Sequence, residues 1–427
     1  MLAADWESTD DLLSAEKRAG SQFHRFVLLI FLCLYCTIAS YSDFADVLVI
    51  VPDTHQQEIA EEIRNLGLDL RIDYFPIPMD QQLGTAESLI LAKDKLVSDL
   101  IVLSCDVVTD YPLNKLITLY RDQNPSLIAL ISTRNPTATT RSYGSSKNRS
   151  EKDLIGVAGK RLVFFNSESD FGQSIPFSCS MIRKCGDIQI FSNYFDAHVY
   201  VFRKGVIDAL VREGVITSIK GEFLPHLVGK QFLDGNRIAS GSQEAEEEES
   251  DVIEMAFKKL EPISGDRTGL MLLPIDQTEF PNSRTRCFVN VIGQGFCIRS
   301  NSLAGYMEAN KVIAAGDSDK CKGRNFVNSI LGQNSTCAEN SHFIRSVIGA
   351  NCSIKANVKV SDSVIMDGVT IEEGCVIQGS VICADARVGK KSSLERCLVS
   401  SAYQVHQQSQ FVNEFLADGG EVDMFEF

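Results

Sequence analysis

The sequence predicts an α/β domain built on a mostly parallel sheet, followed by a left-handed parallel β-helix. Two patterns predict it. In the first half, short continuous apolar runs alternate with stretches of helical spacing. Near the carboxyl end, apolar residues recur every six positions inside larger units of constant length. The composition agrees with a folded chain: 427 residues, 44% hydrophobic, with 24 Phe, enough for two or three domains. A formal charge of −15 argues against a protein held to nucleic acid by backbone neutralisation.

Residues 1–45 form an atypical apolar amino-terminal segment. Phe26 to Ala39 is nearly all apolar and follows Lys17, Arg18 and Arg25, as in the leader of a secreted protein. The run is short for a membrane span. The rest of the chain reads as cytosolic, so a membrane role is not expected. Thirteen cysteines, odd in number and scattered through apolar runs, read as small buried hydrophobes in a reducing compartment. Cys33 and Cys36 make a lone CxxC without a second ligand pair, so no metal is expected.

The α/β domain is expected over 46–234. Val47 to Val51 is a buried strand, and Ile59, Ile63 and Leu66 lie at helical spacing up to Gly67. Leu70 to Tyr74 reads as a strand, ended by Pro76 and Pro78. A helix over Thr85 to Lys95 leads into the strand Asp99 to Ser104, which ends at Cys105-Asp106. Asn114 to Tyr120 is helical, and Ser126 to Ser132 is a strand. Residues 134–152 read as an exposed loop, and Leu154 to Phe165 as a hairpin turning at Gly159-Lys160. The strand Asp196 to Phe202 and two further helices complete the domain.

In such sheets chemistry sits at the carboxyl ends of strands. Gly84, Thr85 and Ala86 open a helix there and either cradle an anion with their amides or simply cap the helix. Asp106 either holds a divalent cation or is a turn residue.

An acidic linker is expected over 235–262, where Glu244 to Asp251 is almost entirely acidic. A connecting segment follows over 263–324, then the β-helix over 325–405 and an acidic tail over 406–427. Ser329, Ser346, Ser363 and Ser380 each open a Ser-aliphatic-aliphatic step, and the interval from each to the next is the same. The predicted core is Leu331, Ile348, Ile354, Val360, Ile365, Ile371, Ile377, Ile382, Val388 and Leu394. Each six-residue step is a short strand, three steps make a triangular coil, and one step per coil is a residue shorter. A helix is excluded, because the period is neither 3.5 nor 3.6 and β-branched residues dominate. His342 is the one histidine expected within these coils, too little for an acyltransferase base.

The Gly84-Thr85-Ala86 turn, the strand-end Asp106 and the coils together resemble the nucleotidyltransferase-like sugar-nucleotide pyrophosphorylases. Val102 to Asp110, Asp196 to Tyr200, Ile216 to Lys220, Tyr306 to Asn310, Ser346 to Gly349 and Ile377 to Cys383 further resemble the gamma subunits of eukaryotic translation initiation factor 2B. That resemblance covers roughly 46–405. It implies a non-catalytic subunit that pairs with an epsilon-like subunit and other subunits of the factor 2B complex. The complex exchanges GDP for GTP on translation initiation factor 2 in the cytosol. The alternative is a sugar-1-phosphate nucleotidyltransferase, such as a mannose-1-phosphate guanylyltransferase.

The chain departs from an active pyrophosphorylase in three places. Gly20 is the one glycine before Gly67, so the Gly-rich phosphate loop and the central strand before it are expected to be missing. Cys105-Asp106 stands for a Gly-Asp metal site, and Asp196-Ala197-His198 for an Asn-Ala-Gly sugar contact. Gly84, Thr85, Ala86, Asp106 and Asp196 are therefore the candidates for a vestigial pocket, with no catalytic residue, metal ligand or cofactor.

Overall fold

A computed structural model describes residues 2–3, 47–65, 71–78, 83–133, 152–171, 175, 177–185, 187–213, 216–232, 285–293, 295–316, 326–417 and 420–423. The loop expected over 134–151, the acidic linker and nearly all of the amino-terminal segment lie outside these residues. The chain divides into two compact units, parted between Cys297 and Ile298.

The first unit holds strands β1 (Leu2–Ala3), β2 (Val47–Pro52), β3 (Ile72–Ile77), β4 (Leu100–Ser104) and β5 (Val107–Thr109). Helices α1 (Gln56–Asn65), α2 (Thr85–Leu91) and α3 (Leu113–Gln123) lie between or after them. Then come β6 (Leu127–Ser132), β7 (Asp153–Ala158), β8 (Arg161–Ser167), α4 (Cys179–Lys184), β9 (Gln189–Phe191) and β10 (Phe195–Phe202). Helices α5 (Lys204–Glu213) and α6 (Leu224–Lys230) and strand β11 (Cys287–Ile292) follow.

Ten strands form one sheet in the order β3-β2-β1-β4-β10-β6-β11-β8-β7-β9. The first four run parallel. Strand β10 is inserted antiparallel between β4 and β6, and β11 returns parallel to β6. Every residue of β2 and β6 is buried, as continuous apolar strands covered on both faces must be. Leu89, Leu127, Ile131, Phe202 and Leu224 lie at the centre of the resulting core.

Three expectations change here. The sheet keeps a strand at the place expected to be empty: Leu2–Ala3 pairs with Val49 on one side and with Leu103–Ser104 on the other. The β3 strand runs through Pro76, which lies opposite Val51. A proline is tolerated there because β3 is the edge strand and its outer side needs no N–H. The stretch 263–324 is more than a connector, because Cys287–Ile292 is the strand that joins β6 to the β7–β8 hairpin. The hairpin turns at Gly159, whose φ of 59° explains the glycine.

Strand β12 (Cys297–Arg299) spans the division, and the second unit then holds α7 (Leu303–Gly316) and three sheets of six, seven and five short strands, parallel except for the last strand of the seven. Every rung pairs with its equivalent in the next coil. Leu331, Ile348, Ile365, Ile382 and Val399 form one inner column. Cys337, Ile354, Ile371, Val388 and Val405 form the second. Phe343, Val360, Ile377 and Leu394 continue the third from Phe326, whose ring stacks on Phe343 at 4.7 Å.

The coils continue beyond the expected end at 405. Gln410–Val412 and Glu414–Ala417 add further rungs, with Phe411 and Leu416 in register. The residues 406–417 read as tail are therefore coil, and His406 lies inside it together with His342. Gly420–Asp423 then folds back antiparallel on Glu414–Ala417.

The periodic serines supply hydrogen bonds at one corner. Ser346, Ser363 and Ser380 each donate their hydroxyl to the carbonyl two residues before, at 2.7–3.0 Å. Each also accepts the amide of the equivalent residue in the next coil, at 3.0–3.2 Å. The outward residues of one face are apolar, and α7 covers it: Leu303, Tyr306 and Met307 pack with Val364, Val381 and Leu398. Lys311 of α7 also approaches Asp362 at 3.8 Å, and Arg345 holds both carboxylate oxygens of Asp362 at 2.7 and 2.8 Å.

Ile365→Ala is expected to lower stability by about 2–5 kcal/mol through the cavity it leaves, and Ile365→Val by about 0.5–1.5 kcal/mol. Chemical denaturation of each variant measures both. The Arg345 hydrogen bonds hold the Asp362 carboxyl below its usual range. A lowered pKa contributes stability above the unfolded-state value and loses it as pH falls through the folded-state value. The stability gap between the wild type and Asp362→Asn should thus be full at neutral pH and shrink in acid, read from melting curves across that range.

Candidate functional site

Glycine is required at position 84 by a close approach. A Cβ there would lie 2.4 Å from the Thr217 carbonyl oxygen. That approach lets the Ala86 amide donate to the Thr217 carbonyl at 2.7 Å. The Thr85 hydroxyl accepts the Ile219 amide at 2.9 Å. The Gly84 amide donates to the Glu87 side chain at 2.8 Å, and the Ser88 hydroxyl donates back to the Gly84 carbonyl at 2.9 Å. The start of α2 is thus capped by its own Glu87 and clasped to the segment 216–220. The Gly84 and Ala86 amides serve the protein itself.

Asp106 sits in the turn after β4, buried at 9% exposure, and accepts the Ser104 hydroxyl at 2.5 Å. Asp196 lies on β10 beside a bulge that spans Asp196 to Tyr200. His198, at φ 51°, takes up the irregularity, and its amide donates to Asp196 Oδ1 at 3.0 Å. The Tyr200 hydroxyl donates to Asp196 Oδ2, and His198 Nε2 stands 3.5 Å from the same oxygen. The Asp196 amide donates to Asp153 Oδ2 at 3.2 Å, and Asp153 Oδ1 pairs with the Lys220 ammonium at 2.9 Å. Two buried carboxylates thus share a network with one lysine, one histidine and one tyrosine.

Thr85, Val102, Ser104, His198, Tyr200, Ile219 and Lys220 line one small cleft at the carboxyl end of β4. The structure therefore brings Thr85 to the same place as Ser104, the partner of Asp106, and Tyr200 and His198, the partners of Asp196. The space among these residues is ≈ 20 Å³, room for little more than a water molecule. Among the described residues no group of His, Cys, Asp and Glu has the arrangement of a metal site.

Reading the sequence misses Lys220, Asp153 and Ser104 as members of this cluster. Lys220 and Thr217 lie in the Ile216-to-Lys220 string, and the signal for them is that string's resemblance alone. A single aspartate opening an apolar strand gives no signal for Asp153. The described cysteines are free thiols, most of them buried or half-buried. Burial pushes the Cys287 thiol up to about 12, with Arg161 opposing, so it stays protonated near neutrality.

Residues 29–222 match the family model for a nucleotidyl transferase domain, and 317–411 match that for the left-handed β-helix (LbH) domain of the EIF2B epsilon subunit. Fold and domain order define the class: a nucleotidyl-transferase-like domain followed by a hexapeptide β-helix. Within that class the chain is similar to the gamma subunits of translation initiation factor eIF2B. It is 31% identical to the Schizosaccharomyces pombe gamma subunit over 160 residues, 37% of this chain and 34% of the relative. It is 28% identical to that of Caenorhabditis elegans over 195 residues, 44% and 47% of the two chains. It is 22% identical to that of Dictyostelium discoideum over 291 residues, 64% and 63% of the two chains. The chain spans between about a third and less than two thirds of the length of these relatives.

Gly84→Ala is expected to destabilise the first unit by about 1–3 kcal/mol, because the new methyl cannot fit against the Thr217 backbone. A lowered melting temperature that Ala86→Gly does not reproduce at equal size is the expected outcome.

Proposed function

We propose that the chain is a non-catalytic, structural and regulatory subunit of the guanine-nucleotide exchange complex that acts on translation initiation factor 2. It works beside an epsilon-like subunit that carries the exchange chemistry, in the cytosol. The observation that carries this reading is the pairing of the two domains with relatives named as eIF2B gamma subunits. The β-helix match bears the epsilon name and the curated relatives bear the gamma name. Both point to the same factor.

The geometry of the cleft supports a non-catalytic role. Transfer of a nucleotidyl group needs donors that stay open for the phosphates and the leaving pyrophosphate. At α2 the Gly84 and Ala86 amides are engaged by Glu87 and Thr217. The Lys220 ammonium is on Asp153, and the carboxylate of Asp196 is held by Tyr200. The β-helix supplies rigid faces for association. Among the described residues, no helix is long and apolar enough to cross a membrane.

Co-expression of the tagged chain with an epsilon-like subunit is the test. The expected result is a stable complex that recovers initiation factor 2 and accelerates GDP release, with no pyrophosphate release by the chain alone on nucleoside triphosphate, magnesium and sugar 1-phosphates. A chain that stays single and releases pyrophosphate would instead be the sugar-1-phosphate nucleotidyltransferase.

A further inference from the structure

Beside the main core of the first unit lies a small second cluster. Ala158 and Val163 of the β7–β8 hairpin meet Met181 of α4, Cys185 and Phe232 there, with Phe177 partly buried against them. The Phe177 ring also lies 5.2 Å from that of Phe164. Two aliphatic side chains next to this cluster face water. Ile182, which follows Met181 on α4, is 56% exposed, and Ile190 on β9 is 43% exposed. The exposure of Ile190 has a local cause. Its cross-strand partner on β7 is Gly156, which has no side chain to lay against it. Strand β9 also ends the sheet, so no strand among the described residues pairs with its outer side. Phe164 pairs with Gly156 from β8, so Phe164, Gly156 and Ile190 share one face of the sheet.

The chain leaves the described residues from this same place. Phe232 is the last residue before the stretch 233–284, and the Lys184 ammonium donates to its carbonyl oxygen at 3.2 Å. The chain returns at Thr285, ahead of β11 in the same unit. Within the linker expected over 235–262, one part has the pattern of an amphipathic helix. Ile253, Ala256, Phe257 and Leu260 stand at steps of three, one and three, which is one helical stripe. Glu254 and Lys258, four apart with the acid first, fall outside that stripe. Asp251 suits an N-cap with Glu254 three residues on, and Pro262 supplies a stop. A helix this short is marginal alone in water, so it needs a surface to form.

We propose that residues 252–260 form a helix that docks its apolar stripe on Ile182 and Ile190. The tether favours this segment over a separate partner. About twenty residues lead from Phe232 to Val252, and a flexible chain of that length spans roughly 25 Å. The tether starts inside the cluster, which holds the segment near the patch at an effective concentration in roughly the millimolar range. Charge points the same way. The last turn of α4 carries Arg183 and Lys184, with Arg183 exposed beside Ile182. The tether reaches Val252 through Glu246, Glu247, Glu248, Glu249 and Asp251, an acidic run that this basic turn attracts. Burial of Phe257 and of the exposed parts of both isoleucines drives the contact. Docking of this kind holds whether or not the chain serves an exchange complex.

Hydrogen–deuterium exchange of the full chain, read by mass spectrometry, tests the contact. Protection of the amides of 252–260 is expected, with exchange about tenfold or more faster when either side is altered. Ile190→Ser and Ile182→Ser should each speed exchange in 252–260, and Phe257→Ser should speed exchange in α4 and β9. Arg183→Glu should speed exchange in 252–260 through like charge. Val97→Ser, at an aliphatic 89% exposed in the loop before β4, should change neither region. Phe257→Ser alters no residue of the sheet, so it keeps the comparison if an isoleucine variant fails to fold. Full exchange of 252–260 in the wild type would overturn the docking, as would protection that neither isoleucine variant changes. Protection that falls on dilution of the protein would overturn the intramolecular assignment in favour of docking on a second copy.

Discussion

The second unit rests on one constraint: the chain must return to the same corner once per coil with its corner amides satisfied. An unsatisfied buried amide destabilises by about 1–3 kcal/mol. The serine column meets the constraint twice over, because one hydroxyl donates within its coil and accepts from the next. At Cys397 the same corner carries a thiol, whose amide is still received by Ser380. Cys352 and Cys375 occupy other corners, and their thiols point to carbonyl oxygens as a serine hydroxyl would. Burial pushes all three thiols up, so they act as weak donors rather than nucleophiles. Three of the thirteen cysteines are thus explained by corner geometry.

The first unit solves a related problem at α2. A helix start normally leaves amides to be satisfied by a cap, a ligand or solvent. Here Glu87 and the Thr217 carbonyl take that place, and glycine at 84 admits the approach. Two strings that are far apart in sequence, Gly84-Thr85-Ala86 and Ile216 to Lys220, become one clasp. The same segment delivers Lys220 to Asp153, so the clasp also sets the charge balance of the cleft.

The coils are legible because a parallel β-helix writes its period directly into the sequence. Each inner rung needs an aliphatic residue at a fixed step, and nothing distant competes with that need. The true end is hidden because the last turn is rich in glutamine, although Phe411 and Leu416 keep the step. The strands of the first domain are legible as buried apolar runs. Their order is not, because the antiparallel insertion of β10 and the late arrival of β11 depend on contacts between residues distant in sequence. The strand Leu2–Ala3 gives no signal, since two residues carry no period. The cleft is half legible: Thr85, Asp106 and Asp196 stand out at strand ends, but their partners Ser104, Asp153 and Tyr200 are ordinary residues whose roles come from packing.

The charge arrangement of the cleft follows from its burial. A carboxylate at position 196 would be costly if it stood alone in a closed space. The fold answers with a tyrosine hydroxyl, a histidine amide and a nearby imidazole on Asp196, and with a lysine on the adjoining Asp153. Each of these groups is then engaged by another protein group. A cleft whose polar groups are partnered from within needs no ligand to satisfy them. The polar atoms of the cleft thereby hold β4, β10 and the segment 216–220 together.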